Sequence, residues 1–89
     1  MAWNIEFKAS AKKQLYQLDK KWQRAILDYL DEIALLTDVK QRGKPLVGDK
    51  RGFWRYRVAD YRILCDIQGD SRQITILAIG HRREVYNQT

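Results

Sequence analysis

The chain has little of what builds metal centres and covalent staples. One cysteine, Cys65, and one histidine, His81, occur among its 89 residues. A lone cysteine excludes an internal disulfide and a cysteine zinc site, and a lone histidine has no second imidazole to complete a ligand set. No metal and no other cofactor is therefore expected. Cys65 stands in an alternating apolar segment and reads as a buried thiol, not a nucleophile. No stretch reaches the ~18 apolar residues of a membrane helix, and the N-terminus lacks the apolar core of a secretory signal. A cytoplasmic protein with no membrane partner is expected. Acidic residues are the minority: 17 lysines and arginines stand against 11 carboxylates, a net charge of +6. On a single small domain spanning residues 1–89, that excess favours nucleic acid or an acidic protein over neutral substrates.

What is present is strongly periodic. Trp3, Ile5 and Phe7 alternate with Ala2, Asn4 and Glu6, the period of a half-buried strand. Ala11, Leu15 and Leu18 then recur at helical spacing, with Lys12, Lys13 and Gln14 turned away. Leu18-Asp19-Lys20 reads as a break, and Asp19 as the N-cap of a second helix. Trp22, Ile26, Tyr29 or Leu30, and Ile33 carry that helix to about Leu36, which predicts a helical hairpin over a common core. Thr37 to Gly52 is irregular. It holds the only proline, Pro45, three of the five glycines and seven charged residues, and a loop of that length is often functional. Phe53–Val58, Tyr61–Gln68 and Gln73–Gly80 read as three strands with turns at Ala59-Asp60 and Gly69-Asp70-Ser71. The expected order is β-α-α-β-β-β: an α+β fold with two helices on one face of a small twisted antiparallel sheet.

A two-residue turn at Ala59-Asp60 fixes a register. Val58 then opposes Tyr61, Arg57 opposes Arg62, Tyr56 opposes Ile63 and Arg55 opposes Leu64. Trp54, Tyr56, Val58, Tyr61, Ile63, Cys65 and Ile67 fall on one face, toward the helices. Arg55, Arg57, Arg62, Asp66 and Gln68 fall on the other. Like charges directly opposed weaken a hairpin, whereas opposite charges would contribute roughly 0.2–1 kcal/mol. One reading is a solvated edge offset by Asp66 or Glu84. The other is an anion site, with guanidinium forks aimed at phosphate oxygens.

The C-terminal run GHRREVY, Gly80 to Tyr86, follows the last strand. Gly80 is expected to end that strand and to let the chain turn Arg82 and Arg83 back across the sheet. Tyr86 offers a ring for stacking on an unstacked base and a hydroxyl for proton transfer. His81 titrates near neutrality when unperturbed and is a reserve acid or base. Lys12, Lys13, Lys20 and Lys21 lie on the polar helical side, where they suit either a solvated surface or a nucleic-acid contact.

The early strand ending in Phe7, the Ala11/Leu15/Leu18 helix, the segment FWRYRVADYRILCDI (Phe53 to Ile67) and the terminal GHRREVY together resemble the RelE/ParE superfamily of bacterial toxins, most of all its RelE branch. The likeness runs over nearly the whole chain. It implies a ribosome-dependent, metal-independent endoribonuclease of a type II toxin–antitoxin system. Such a protein cuts messenger RNA in the ribosomal A site and is neutralised by a RelB-like antitoxin. Its implied partners are messenger RNA, 16S ribosomal RNA and, with the antitoxin, operator DNA. The matching positions assign the site to Arg55, Arg57, Arg62, Arg82 and Tyr86. Three departures stand out: arginines replace lysines at the two positions on the second strand of that site, the hairpin is shorter by two residues, and the chain stops at Thr89 without a C-terminal helix. Arginine is a poor proton acceptor, which separates Arg55 and Arg57 from a base role. The expected chemistry is attack by the RNA's own 2′-hydroxyl, with Arg57 and Arg62 on the phosphate oxygens, Arg82 at the leaving 5′-oxygen, and Tyr86 on a base. The ParE branch, which poisons DNA gyrase, and a non-catalytic nucleic-acid-binding module are the competing readings. Trp3, Tyr16, Trp22 and the loop to Gly52 are candidates for an antitoxin groove.

Overall fold

A computed structural model describes residues 2–46 and 52–81. Strand β1 (Asn4–Phe7) leads into helices α1 (Ala9–Tyr16) and α2 (Lys20–Ala34). A single 3₁₀ turn (Val39–Gln41) and a two-residue strand β2 (Lys44–Pro45) follow, then β3 (Trp54–Val58), β4 (Tyr61–Gln68) and β5 (Gln73–His81). The strands lie in the order β1-β5-β4-β3-β2. Both helices cover one face of the sheet, α1 over β5 and α2 against β1 and β3.

Two expectations about the sheet are corrected. The stretch read as a loop from Thr37 to Gly52 contains the 3₁₀ turn and β2, which pairs antiparallel with β3 through Lys44–Arg55 and Pro45–Trp54. Pro45 is tolerated because β2 is an edge strand, where a missing N–H breaks no ladder. The sheet is also mixed, not wholly antiparallel. β1 runs parallel to β5, with Ile5 beside Ile74 and Phe7 beside Ile76. The helical hairpin supplies the long crossover that a parallel pair needs.

The apolar stripes do what their spacing demands. Ala11 and Leu15 of α1, and Ile26, Leu30 and Ile33 of α2, are buried against Ile63, Cys65, Ile74, Ile76 and Ile79. Asp19 occupies the N-cap of α2, yet its carboxylate makes no cap bond. Its backbone carbonyl accepts from Trp22 and Gln23, and the Gln23 side chain donates back to the Leu18 carbonyl at 2.7 Å. The break between the helices is therefore closed by a glutamine.

The β3–β4 register is the one the turn dictates, including Arg57 opposite Arg62 and Tyr56 opposite Ile63. Ala59 takes a left-handed φ of 53°, as a tight hairpin turn requires. Between β4 and β5 the register shifts: Leu64 pairs with Ala78 but Cys65 pairs with Ile76, so Leu77 is an extra residue on β5. This bulge exchanges the two faces of β5 beyond it. Ile74 and Ile76 face the helices before the bulge, and Ile79 does after it. The shifted strand is fastened from α1, where the Gln14 side-chain oxygen accepts from the Ile79 N–H at 2.8 Å. Gly80 does not end the strand as expected; it lies inside β5, paired with Arg62.

Tyr56 is fully buried and its hydroxyl donates to the Val39 carbonyl at 2.7 Å, tying β3 to the 3₁₀ turn. Burial pushes its pKa well above the usual tyrosine value of 10. The folded protein therefore keeps the proton after an unfolded tyrosine has lost it. Stability from this group is full below pH ~10 and falls above it, by about 1.4 kcal/mol per pH unit. Tyr56→Phe is expected to lower stability by about 1–3 kcal/mol at neutral pH, because the Val39 carbonyl loses its donor. It should also flatten the alkaline decline; urea unfolding at pH 7 and at pH 11 reads both effects.

Candidate functional site

The sheet face turned away from the helices carries charge at one end. Arg57 and Arg62 are directly opposed across β3 and β4, and Gly80 continues the row on β5. The next row places Lys44 beside Arg55, then Leu64 and Ala78. Arg57 is exposed, Arg55 and Arg62 are half-buried, and Leu64 is buried despite lying on this face. Gly80 has no side chain to compete with Arg62 for space. Arg57 is aimed by its own hairpin: Nε donates to the Ala59 carbonyl at 2.9 Å, leaving the terminal amino groups for a ligand.

A cleft of about 390 Å³ opens where β2 stops short along β3, lined by Tyr29, Gly43, Lys44, Arg55, Tyr56, Arg57 and Arg62. Its floor is held by several bonds around the 3₁₀ turn. Asp38 caps that turn by accepting from the Lys40 N–H at 3.0 Å, and Trp54 Nε1 donates to the Arg42 carbonyl at 2.8 Å. Arg42 bonds Glu32 of α2 at 3.0 Å, and its guanidinium lies 5.7 Å from the centre of the Tyr29 ring. The Glu32 carboxylate raises the Arg42 pKa, and burial raises that of Tyr29 against the lowering effect of Arg42. Tyr29 thus remains a neutral hydroxyl.

The other end of the same face is polar and carries carboxylates. Asp66, Thr75 and Glu6 form one row across β4, β5 and β1, and Gln68, Gln73 and Asn4 form the next. These carboxylates are bound by amides: Glu6 accepts from Gln73 at 3.2 Å and from Asn4 at 3.5 Å, and Asp66 from Gln68 at 3.4 Å. Asp66 therefore belongs to the far end of the face, not to the Arg57–Arg62 row. A linear anion meets attraction at one end and repulsion at the other, so the face is directional.

The residues expected to form the site are only partly brought together. Arg55, Arg57 and Arg62 share the cleft. His81 does not join them: it pairs with Tyr61 on the helix side, ring centroids 6.2 Å apart and edge-on, and Tyr61 in turn meets Trp22 at 5.6 Å. The bulge at Leu77 is the cause, because it sends His81 to the opposite face from Arg62. Lys12, Lys13, Lys20 and Lys21 are exposed on the helical layer, with Lys21 over the Trp22 ring at 4.9 Å. Arg82, Arg83, Glu84 and Tyr86 lie outside the described residues. Cys65 is buried, and burial with the Asp66 charge pushes its thiol pKa well above the usual value, so it is inert. Among the described residues no group of three potential metal ligands converges, and no helix is long and apolar enough to cross a membrane.

The family model described as the ParE toxin of type II toxin–antitoxin systems, parDE, matches residues 5–86. The chain belongs to this family of toxins. No curated protein matches the toxin. Among solved structures it resembles the toxin of the RelBE2 complex from Mycobacterium tuberculosis, with 23% identity, TM-score 0.80, and 92% of this chain and 93% of that one covered. The archaeal RelE of the RelE–RelB complex from Pyrococcus horikoshii is similar at 22% identity and TM-score 0.75, covering 92% and 97% of the two chains. A free-state structure of E. coli RelE matches at 18% identity and TM-score 0.77 over 98% and 93%. These likenesses establish the fold of the toxin, two helices on a five-stranded sheet.

Two residues of the cleft escape a reading of the sequence. Lys44 lies in a strand too short for any periodicity to register, and Tyr29 looks like one more member of the apolar stripe of α2. The signal for Lys44 was the Gly-Lys-Pro triplet itself, a glycine permitting close approach followed by a proline restricted to an edge.

Proposed function

We propose that this toxin is a ribosome-dependent endoribonuclease that cuts messenger RNA in the ribosomal A site. The supporting observation is the row of Arg57 and Arg62, backed by Arg55 and Lys44 around an open cleft. Opposed like charges weaken the hairpin on their own and become favourable when a phosphate lies over them. Arg57 and Arg62 bind the phosphoryl oxygens while the RNA's 2′-hydroxyl attacks, giving a 2′,3′-cyclic phosphate and a 5′-hydroxyl. Arg82 and Tyr86 act at the leaving oxygen and a neighbouring base. The ribosome supplies the bent, in-line strand, and Lys12, Lys13, Lys20 and Lys21 meet 16S ribosomal RNA. A RelB-like antitoxin neutralises the toxin in the cytoplasm, and the pair binds operator DNA. The Mycobacterium and Pyrococcus relatives were solved as toxin–antitoxin complexes, which supports the first of these partners.

Primer extension on a translated message, with purified ribosomes and toxin, tests the reading. Breaks within A-site codons and none on naked RNA are expected. Because the family model bears the ParE description, a gyrase poison is the second reading. Inhibition of DNA supercoiling with an intact message would decide for it and against the ribonuclease.

A further inference from the structure

The apolar stripe of α2 runs past the core. Ile26, Leu30 and Ile33 are buried, whereas Trp22, one turn earlier, stays half-exposed near the start of the helix. Trp3 and Trp54 pack against the core cluster, and Trp22 does not. Its ring instead meets Tyr61 at 5.6 Å, and Tyr61 meets His81 edge-on at 6.2 Å. The three rings form a ladder on the helical side, where β4 begins and β5 ends. His81 completes it because the bulge on β5 turns that residue away from Arg62. Rings left half in water and in contact with one another suit a binding surface better than a core.

Charge says what such a surface would take. Lys20 and Lys21 open α2, and no acidic residue stands in its first turn. Cations there oppose the helix dipole, which favours negative charge at this end. The Asp19 carboxylate makes no cap bond, and neither lysine forms an ion pair among the described residues. Two exposed ammoniums thus stand where the helix alone disfavours them, beside flat rings. An anion would relieve the first feature, and a flat apolar group attached to it would cover the second. A nucleotide is both.

We propose that the Trp22–Tyr61–His81 ladder, with Lys20 and Lys21, is a second RNA site that holds one unpaired nucleotide. The base stacks on Trp22, whose ring is oriented by Tyr61 and, through it, by His81. Lys21 Nζ, which lies over the Trp22 ring at 4.9 Å, swings to the nucleotide's phosphate, and Lys20 holds the next one. The exchange is favourable. An exposed cation–π contact is worth about two- to fivefold in an equilibrium, whereas a stacked base contributes about 5- to 150-fold. The ladder lies across the sheet from the arginine row, so it takes a nucleotide of a different strand from the one held in the cleft. The inference rests on the RNA-binding part of the reading above and not on its cleavage chemistry.

Binding is measured on the full chain carrying Arg57→Gln and Arg62→Gln, so that the cleft adds neither affinity nor cutting. The probes are a short single-stranded RNA and an abasic strand of equal length. Trp22→Leu is expected to weaken RNA binding about 5- to 150-fold and to leave the abasic strand unaffected. Trp22→Phe keeps a ring and should stay within about fivefold of its parent, while losing the fluorescence quenching that RNA causes at Trp22. Lys20→Gln with Lys21→Gln should weaken both strands and reduce the salt slope by about 1.4, the share of two phosphate contacts. Unfolding midpoints identify a folding defect. Should Trp22→Leu fail to fold, quenching of Trp22 by RNA and not by the abasic strand decides in its place. Equal RNA affinity of Trp22→Leu and its parent would overturn the proposal. So would equal affinity of the parent for both strands, which marks a plain polyanion contact. Binding as expected by a toxin that cuts no message on the ribosome would remove the ribonuclease reading and leave this site standing.

Discussion

Arg62→Glu is expected to give a toxin that is both more stable and inactive. Wild type sets two arginines directly opposite each other across β3 and β4. Reversing one charge turns that pair into an ordinary cross-strand attraction, worth about 0.2–1 kcal/mol relative to neutral partners and more relative to the repulsion it replaces. The urea midpoint should rise at constant slope, which identifies a change in stability and not in compactness. Cleavage should fall by at least about 10²–10³-fold, since a carboxylate in the row repels the phosphate that Arg62 is proposed to hold. The double variant Arg57→Glu with Arg62→Glu restores a like-charged pair, so its midpoint should return toward wild type while activity stays lost. A lower midpoint for Arg62→Glu together with retained cutting would show that the row neither costs stability nor handles RNA.

The largest loss of stability is expected at Gly43. Gly43→Ala places a methyl group into the Arg55 carbonyl and within 2.6 Å of Trp54 Nε1, at a φ of +78° that alanine resists. Steric overlap with backbone and left-handed strain add, and a cost of about 3 kcal/mol or more is expected. The strain can be relieved only by lifting β2 from β3, which breaks the Trp54–Arg42 bond and withdraws Lys44 from the cleft. Chemical unfolding followed by tryptophan fluorescence measures the first effect, and cleavage assays the second. Gly69 is the matched control. A Cβ there meets nothing within 4 Å, so Gly69→Ala should stay within about 0.5 kcal/mol of wild type.

How far the sequence speaks depends on what each local rule can report. The β3–β4 register was legible because a two-residue turn and strict alternation both point to it, and a one-residue slip would bury Arg57 and expose Tyr56. The direction of β1 was not legible. Alternation at Trp3, Ile5 and Phe7 says which face is buried and nothing about whether the neighbouring strand runs the same way. β2 leaves no mark in the sequence because two residues carry no period, and its existence depends on a glycine contact with β3 made in three dimensions. Proximity in sequence to Arg82 groups His81 with the arginines, and the fold separates them. The apolar run Ile76-Leu77-Ala78-Ile79 gives no sign of which residue is the extra one, and the bulge there decides the face of everything after it. Physical neighbours of the cleft such as Tyr29 and Lys44 come from elements with unrelated patterns, so only the assembled sheet could join them.

That bulge also makes the last strand answerable to the first helix. β5 has an early half in one phase and a late half in the other, and a plain slip by one residue would repair the pairing of either half at the expense of the other. Gln14, 65 residues upstream, accepts from the backbone amide of Ile79. That bond forms only when Leu77 is the extra residue and Ile79 has turned inward. A helix that is local and quick to form thus inspects the alignment of the final strand, and a chain docked one step out of frame loses the bond to that amide. The geometry beside Arg62 is in this sense proofread from the far side of the sheet, by a residue that never approaches the surface bearing Arg57 and Arg62.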